Sequence, residues 1–153
     1  MVHPCLGWLA QRHACPGWGA HAETLAFLSA LIEAIRPRNV LEFGSGLSTL
    51  VMANALSKAG AGRLLSIDES ERYALRTQRW LEEEGLTAQA AVKHCPVRKQ
   101  KVLGSDVHCY DLASALDDVD GLDLVFVDGP NSMPVIGHPG ARFGTLPLIR
   151  DHL

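Results

Sequence analysis

The stretch Glu42-Phe43-Gly44-Ser45-Gly46-Leu47-Ser48-Thr49 joins a carboxylate to a glycine turn and two hydroxyls. Gly44 and Gly46 let the backbone turn sharply and approach a ligand closely. Ser48 and Thr49 suit the opening of a helix, where a hydroxyl caps the first turn or meets a ligand. Asp68 stands roughly twenty residues after the first glycine, the separation at which a carboxylate takes the hydroxyls of a ribose in a nucleotide-binding βαβ unit. Together the turn and Asp68 point to an adenosine-bearing ligand. A dinucleotide fingerprint needs a third glycine where this chain has Thr49, and a Walker phosphate loop needs a Gly-Lys-Ser/Thr run that does not occur. Glu42, just before the glycines, is placed to hold a positively charged group and would repel a pyrophosphate.

The elements that must carry these residues alternate along the chain. Leu25, Leu28, Leu31, Ile32 and Ile35 recur at helical spacing up to Pro37, and the apolar run from Asn39 to Phe43 then predicts a buried strand closed by glycine. A helix over 48–57, a strand over 63–67, a helix over 70–84 ended by Gly85 and a weaker strand over 88–92 follow. The region from Lys93 to Gly121 reads as a basic loop (Lys93, Arg98, Lys99, Lys101), a polar stretch and a short helix near 112–116. Leu122 to Val127 is the strongest strand, with Asp128-Gly129-Pro130 directly behind it. Thr145 to Leu153 begins another helix. This order predicts an α/β fold: a Rossmann-like, mostly parallel sheet flanked by helices, with ligands beyond the carboxyl ends of the strands. Asp68, His94, Cys95 and Asp128 all fall at such ends.

The chain has 153 residues, enough for one domain, and 47% apolar with 20% charged residues gives it a core rather than a disordered composition. A net charge of −3 speaks against a protein that coats nucleic acid. No apolar run spans a membrane and no signal peptide is read at the start, so the expectation is a cytoplasmic protein, and the four cysteines are too sparse for a disulfide framework. Residues 1–22 read as a leader, with Trp8 and Trp18 as apolar anchors or a lid. Its His3, Cys5, His13 and Cys15 match no metal-ligand spacing. Residues 23–153 form the ligand-binding domain.

The run Val40 to Thr49 resembles motif I of the class I S-adenosylmethionine-dependent methyltransferases. Ser66-Ile67-Asp68-Glu69 resembles the acidic end of their second strand, and Leu122 to Pro130 their fourth-strand motif in its Asp-Gly-Pro form. With Arg142 to Leu153, that form is similar to a subgroup of small-molecule methyltransferases grouped as family 24. The resemblance implies S-adenosylmethionine as cofactor. Gly44, Ser45 and Gly46 would lie against its methionine part, with Ser48 also among the cofactor-binding residues and Glu42 near its ammonium directly or through water. Asp68 would accept the ribose hydroxyls, with Glu69 as the substitute, and His94 and Cys95 would border the adenine. Asp128 would face the methyl-transfer site, touching cofactor, acceptor or a metal. The acceptor would be a small molecule methylated on oxygen, with Asp128 or His138 taking its proton.

The chain stops before the last three strands of that family's sheet, which leaves Leu122 to Val127 as an edge strand with unpaired amides. The expectation is a C-terminally truncated domain whose open edge is covered by another copy, a partner or the N-terminal segment. The later strand that brings a second acidic metal ligand is also missing, so no metal is assigned. Two rival readings stand beside methyl transfer: an NAD-dependent oxidoreductase on a similar sheet, and a non-catalytic fragment that associates through its edge.

Overall fold

The computed structural model describes residues 8–9, 11–13, 20–112, 115–117, 119, 121–131 and 141–153. Helix α1 (Ala22–Ile35) turns Leu25, Leu28, Ser29 and Ile32 inward. Strand β1 (Asn39–Phe43) follows, and helix α2 (Leu47–Ala59) is buried on almost every side, so it lies between α1 and the sheet. Gly60, in the left-handed region at φ 73°, ends α2. After β2 (Arg63–Asp68) comes α3 (Glu71–Glu83), capped by Ser70 and buried through Ala74, Thr77 and Leu81. Then follow β3 (Ala90–His94), an antiparallel pair β4 (Val97–Val102) and β5 (Ser105–Tyr110), β6 (Leu124–Val127) and α4 (Thr145–Ile149).

β1, β2, β3 and β6 make one parallel sheet in the order β3-β2-β1-β6, the α/β, Rossmann-like arrangement that the alternation predicts. Its two faces are covered differently. Val40 and Leu64 meet the three long helices on one face. Leu41, Phe43 and Ile67 meet Tyr110 at the end of β5, the turn at Ala115 and Leu116, and Ile149 of α4 on the other. Sheet alternation sends consecutive residues of β1 to these opposite cores.

Three expectations change. The basic loop after β3 is the β4–β5 hairpin, in which Arg98 pairs with Asp111 at 3.0 Å and Lys99 with Asp106 at 3.2 Å. It turns through Leu103 and Gly104, both left-handed, and a leucine there hides the turn from a search for Asn-Gly. Secondly, among the described residues the anchors of the first segment are Leu9, fully buried among α1–α3, and His13, which meets Glu84 at 2.6 Å and lies tilted against Trp80 with ring centroids 5.0 Å apart. Trp8 is nearly half exposed, because the short segment turns Leu9 rather than Trp8 toward the core. Trp18 lies outside the described residues. Thirdly, the last helix is a short α-turn followed by a 3-10 turn over Arg150–His152.

β6 is the sheet's edge, and no further strand joins it among the described residues. Its four residues are half-buried, and its entry is pinned by Asp123, whose carboxylate accepts the backbone N–H groups of Arg38 and Asn39 at 2.8 and 3.0 Å. Those amides hold the Asp123 carboxyl below its ordinary range. Among the described residues no helix is long and apolar enough to cross a membrane.

Candidate functional site

Every strand of the parallel sheet ends on the same rim, and β1 and β2 bring the glycine turn and Asp68 into contact there. Gly44 leaves β1 at φ 95°, a conformation that favours glycine, and donates its N–H to Ile67 at 2.7 Å. Asp68 Oδ2 accepts the N–H of Ser45 at 2.9 Å and its hydroxyl at 2.6 Å, while Oδ1 accepts the N–H of Ser70 at 2.8 Å. Ser45 Oγ also lies 3.2 Å from Thr77 Oγ1 of α3. The carboxylate thus ties the turn to β2 and to the opening of α3. Burial raises the Asp68 pKa above its ordinary value, and the bonds from Ser45 and Ser70 pull against that rise. Among the described residues nothing lies within 4 Å of where a side chain at Gly46 would begin, so they leave the far side of the turn open.

Glu42 sits deeper than its sequence position suggests. It has no exposed surface, and Oε1 accepts Ser48 Oγ at 2.5 Å while Oε2 accepts Thr49 Oγ1 at 2.5 Å and Ser66 Oγ at 2.7 Å. Thr49 Oγ1 in turn accepts the N–H of Gly46 at 3.0 Å. The acidic residue therefore holds the glycine turn from behind, and its carboxylate is occupied by the protein's own hydroxyls. Burial lifts its pKa to about 7, against the lowering effect of the three hydroxyls, with the Asp128 charge a smaller raising influence. The second-strand motif includes Ser66 but gives it no role, although the β1–β2 register sets it opposite Glu42.

The rest of the rim comes from distant parts of the chain. Glu69 Oε2 accepts the Tyr110 hydroxyl at 3.0 Å and Oε1 accepts the Asn131 N–H at 2.9 Å. Tyr110 is fully buried, its ring 5.3 Å from that of Phe43, and burial with the neighbouring carboxylates drives its pKa well above the ordinary phenol value. Gly129 fits against both the Tyr110 hydroxyl and Gly44, which leaves no room for a side chain at either glycine. Asp128, nearly half exposed, is 3.6 Å from Arg142 Nη2. His94 is exposed on the same rim, with Nε2 3.2 Å from the Glu69 carbonyl oxygen. Cys95 differs from expectation. Its N–H is donated to the Asp68 carbonyl at 2.9 Å, but its side chain belongs to the second-face core, where burial pushes the thiol pKa up. His138 lies outside the described residues. Tyr110 and Asn131 carry no local motif, and Arg142, read only as part of a terminal run, shows its place on the rim through folding alone.

Comparison with known proteins agrees with this geometry. A family described as Methyltransferase domain matches residues 41–138, and the chain belongs to it. A curated catechol O-methyltransferase from Niastella koreensis is 35% identical over 69 residues, which are 44% of this chain and 30% of that protein. Among solved structures, an SAH-bound methyltransferase from Podospora anserina superposes with a TM-score of 0.66 at 16% identity, over 96% of this chain and 54% of that one. An O-methyltransferase from Bacillus cereus in complex with SAH gives 0.57 at 24% identity, over 83% and 55%. The chain thus spans about half the length of these structures, and less of the curated relative. These likenesses establish the fold.

Proposed function

We propose that this domain binds S-adenosylmethionine and serves methyl transfer to an oxygen of a small-molecule acceptor. The observation that carries the reading is the direct bond between Ser45 and Asp68, which makes the open glycine turn and the second-strand carboxylate one surface. The donor supplies an activated methyl group on a cationic sulfonium. A rim bearing Asp68, Glu69 and Asp128 suits that positive charge and suits a pyrophosphate poorly. In this reading Gly44, Ser45 and Gly46 lie along the methionine part. Asp68 Oδ1, with one hydrogen bond from Ser70, keeps acceptor capacity for a ribose hydroxyl, and the exposed His94 borders the base. Glu42 acts indirectly, by holding Ser48 and Thr49 where α2 begins.

Methyl transfer is an in-line displacement that depends on alignment and exclusion of water more than on acid–base help. An oxygen acceptor must still lose its proton, and Asp128, exposed on the rim, is the described residue placed to take it. The relatives named for catechol and for O-methylation support oxygen as the atom methylated. A second copy would cover the β6 edge, which no strand joins among the described residues. Calorimetry with S-adenosylhomocysteine tests the binding step. Micromolar binding to the parent chain, weakened at least tenfold in Asp68→Ala, is expected. A thermal shift with NAD and none with S-adenosylhomocysteine would overturn the reading. Transfer of labelled methyl to catechol tests turnover.

A further inference from the structure

We propose that Arg142 is a positioning residue of the cofactor site, holding the Asp128-Gly129-Pro130 turn at its set distance from the glycine turn; this rests on the reading just given. Arg142 lies in the 3-10 turn Ala141–Gly144. Its Nη2 donates to the Asp128 carbonyl and stands 3.6 Å from Asp128 Oδ1, and its Nε donates to the Pro130 carbonyl at 3.3 Å. One planar guanidinium therefore reaches the first and third residues of the turn, through main chain and side chain together. The turn it grips is the one packed on the glycine loop: a side chain at Gly44 would begin 2.7 Å from the Gly129 nitrogen. Asp128 and Gly129 both donate their N–H groups to the Phe43 carbonyl, at 2.8 and 2.5 Å, so β1 holds the turn from one side and Arg142 from the other.

The arginine is itself set from further away. Gly144 sits so close to β5 that a side chain there would begin 2.8 Å from Cys109 Cβ and 3.2 Å from Val107 Cγ2. The hairpin thereby locates the 3-10 turn, the turn locates Arg142, and Arg142 locates the rim. Both partners of the ion pair are nearly half exposed, 46% for Arg142 and 44% for Asp128, so solvent screens the charge attraction. The two carbonyl bonds and the fixed fork are what a lysine could not reproduce.

The test compares the whole chain with Arg142→Ala and Arg142→Lys by calorimetry with S-adenosylhomocysteine, with and without millimolar guanidinium ion, alongside thermal melting. About tenfold weaker binding is expected in both variants, with a melting temperature close to the parent's and partial recovery of Arg142→Ala when guanidinium ion is added. Parental affinity in either variant overturns the proposal. Amide exchange at Gly129, followed by NMR without ligand, tests the grip itself and remains readable if the parent chain fails to bind, which would be a failure of the methyltransferase reading instead. Faster Gly129 exchange in both variants supports the proposal, and an unchanged rate overturns it.

Discussion

Glu42 and Glu69 are both acidic, both at the carboxyl end of the sheet, and they are built in opposite ways. Glu42 is enclosed by Ser48, Thr49 and Ser66, hydroxyls from its own βαβ unit. Glu69 is held by Tyr110 and Asn131, which arrive from the hairpin and from the exit of β6. The first arrangement is an internal brace, in which a buried carboxylate draws hydrogen bonds from close neighbours and stiffens the turn in front of it. The second is a seam between elements far apart in the chain, and it sets how the β6 exit lies on the glycine turn. A family motif thus contains two kinds of acid: one shapes the site and the other joins its halves.

The largest expected effect tests whether brace and seam share one contact. Gly44→Ala places a Cβ at 2.7 Å from the Gly129 nitrogen in a left-handed conformation, and should destabilise the fold on the order of 3 kcal/mol, read by urea unfolding. Little or no loss would show that the two regions are not packed as described. The next separates the acids by pH. Because the folded pKa of Glu42 is raised from 4.5 to about 7, its stabilising effect is complete below pH 4.5 and fades as pH rises through about 7. The parent should lose about 3 kcal/mol of unfolding free energy across that window, and Glu42→Gln should flatten the curve. A Glu42→Gln profile parallel to the parent's would place the titration elsewhere.

Tyr110→Phe breaks the seam alone. It removes the hydroxyl bonded to Glu69 while keeping the ring against Phe43, and should cost about 1–2 kcal/mol and speed exchange of the Asn131 amide. The Glu42 pH dependence should survive it. The smallest effect lies away from both acids: Leu103, 74% exposed with φ 51°, is a poor occupant of the hairpin turn. Leu103→Asn should stabilise the chain by about 0.5–1 kcal/mol without changing ligand affinity. Lower stability would mean that the leucine has an apolar contact.

Local pattern made one half of the molecule readable. The stretch from Ala22 to His94 shows its helices through three- and four-residue spacing and its strands through short apolar runs closed by glycine, and the boundaries observed differ from those expected by a few residues. The hairpin was hidden because its first strand carries the basic run Arg98, Lys99 and Lys101, which resembles a solvated loop, and because its turn has a leucine where asparagine is usual before the glycine. The site divides along the same line. Gly44, Ser45, Gly46 and Asp68 were legible because one βαβ unit brings them together, whereas Tyr110 and Arg142 had no signal in their own neighbourhoods.

What the amino-acid order determined by itself is the parallel α/β scaffold, the glycine turn at its first strand and the carboxylate that meets it, because hydrophobic period and turn chemistry act over a few residues. The tertiary structure decided which acid is enclosed and which stands at the rim, that Cys95 turns its thiol inward, and that Arg142 faces Asp128. Burial and hydrogen-bond partnership depend on which elements pack together, and packing joins residues whose separation along the chain carries no trace of their contact.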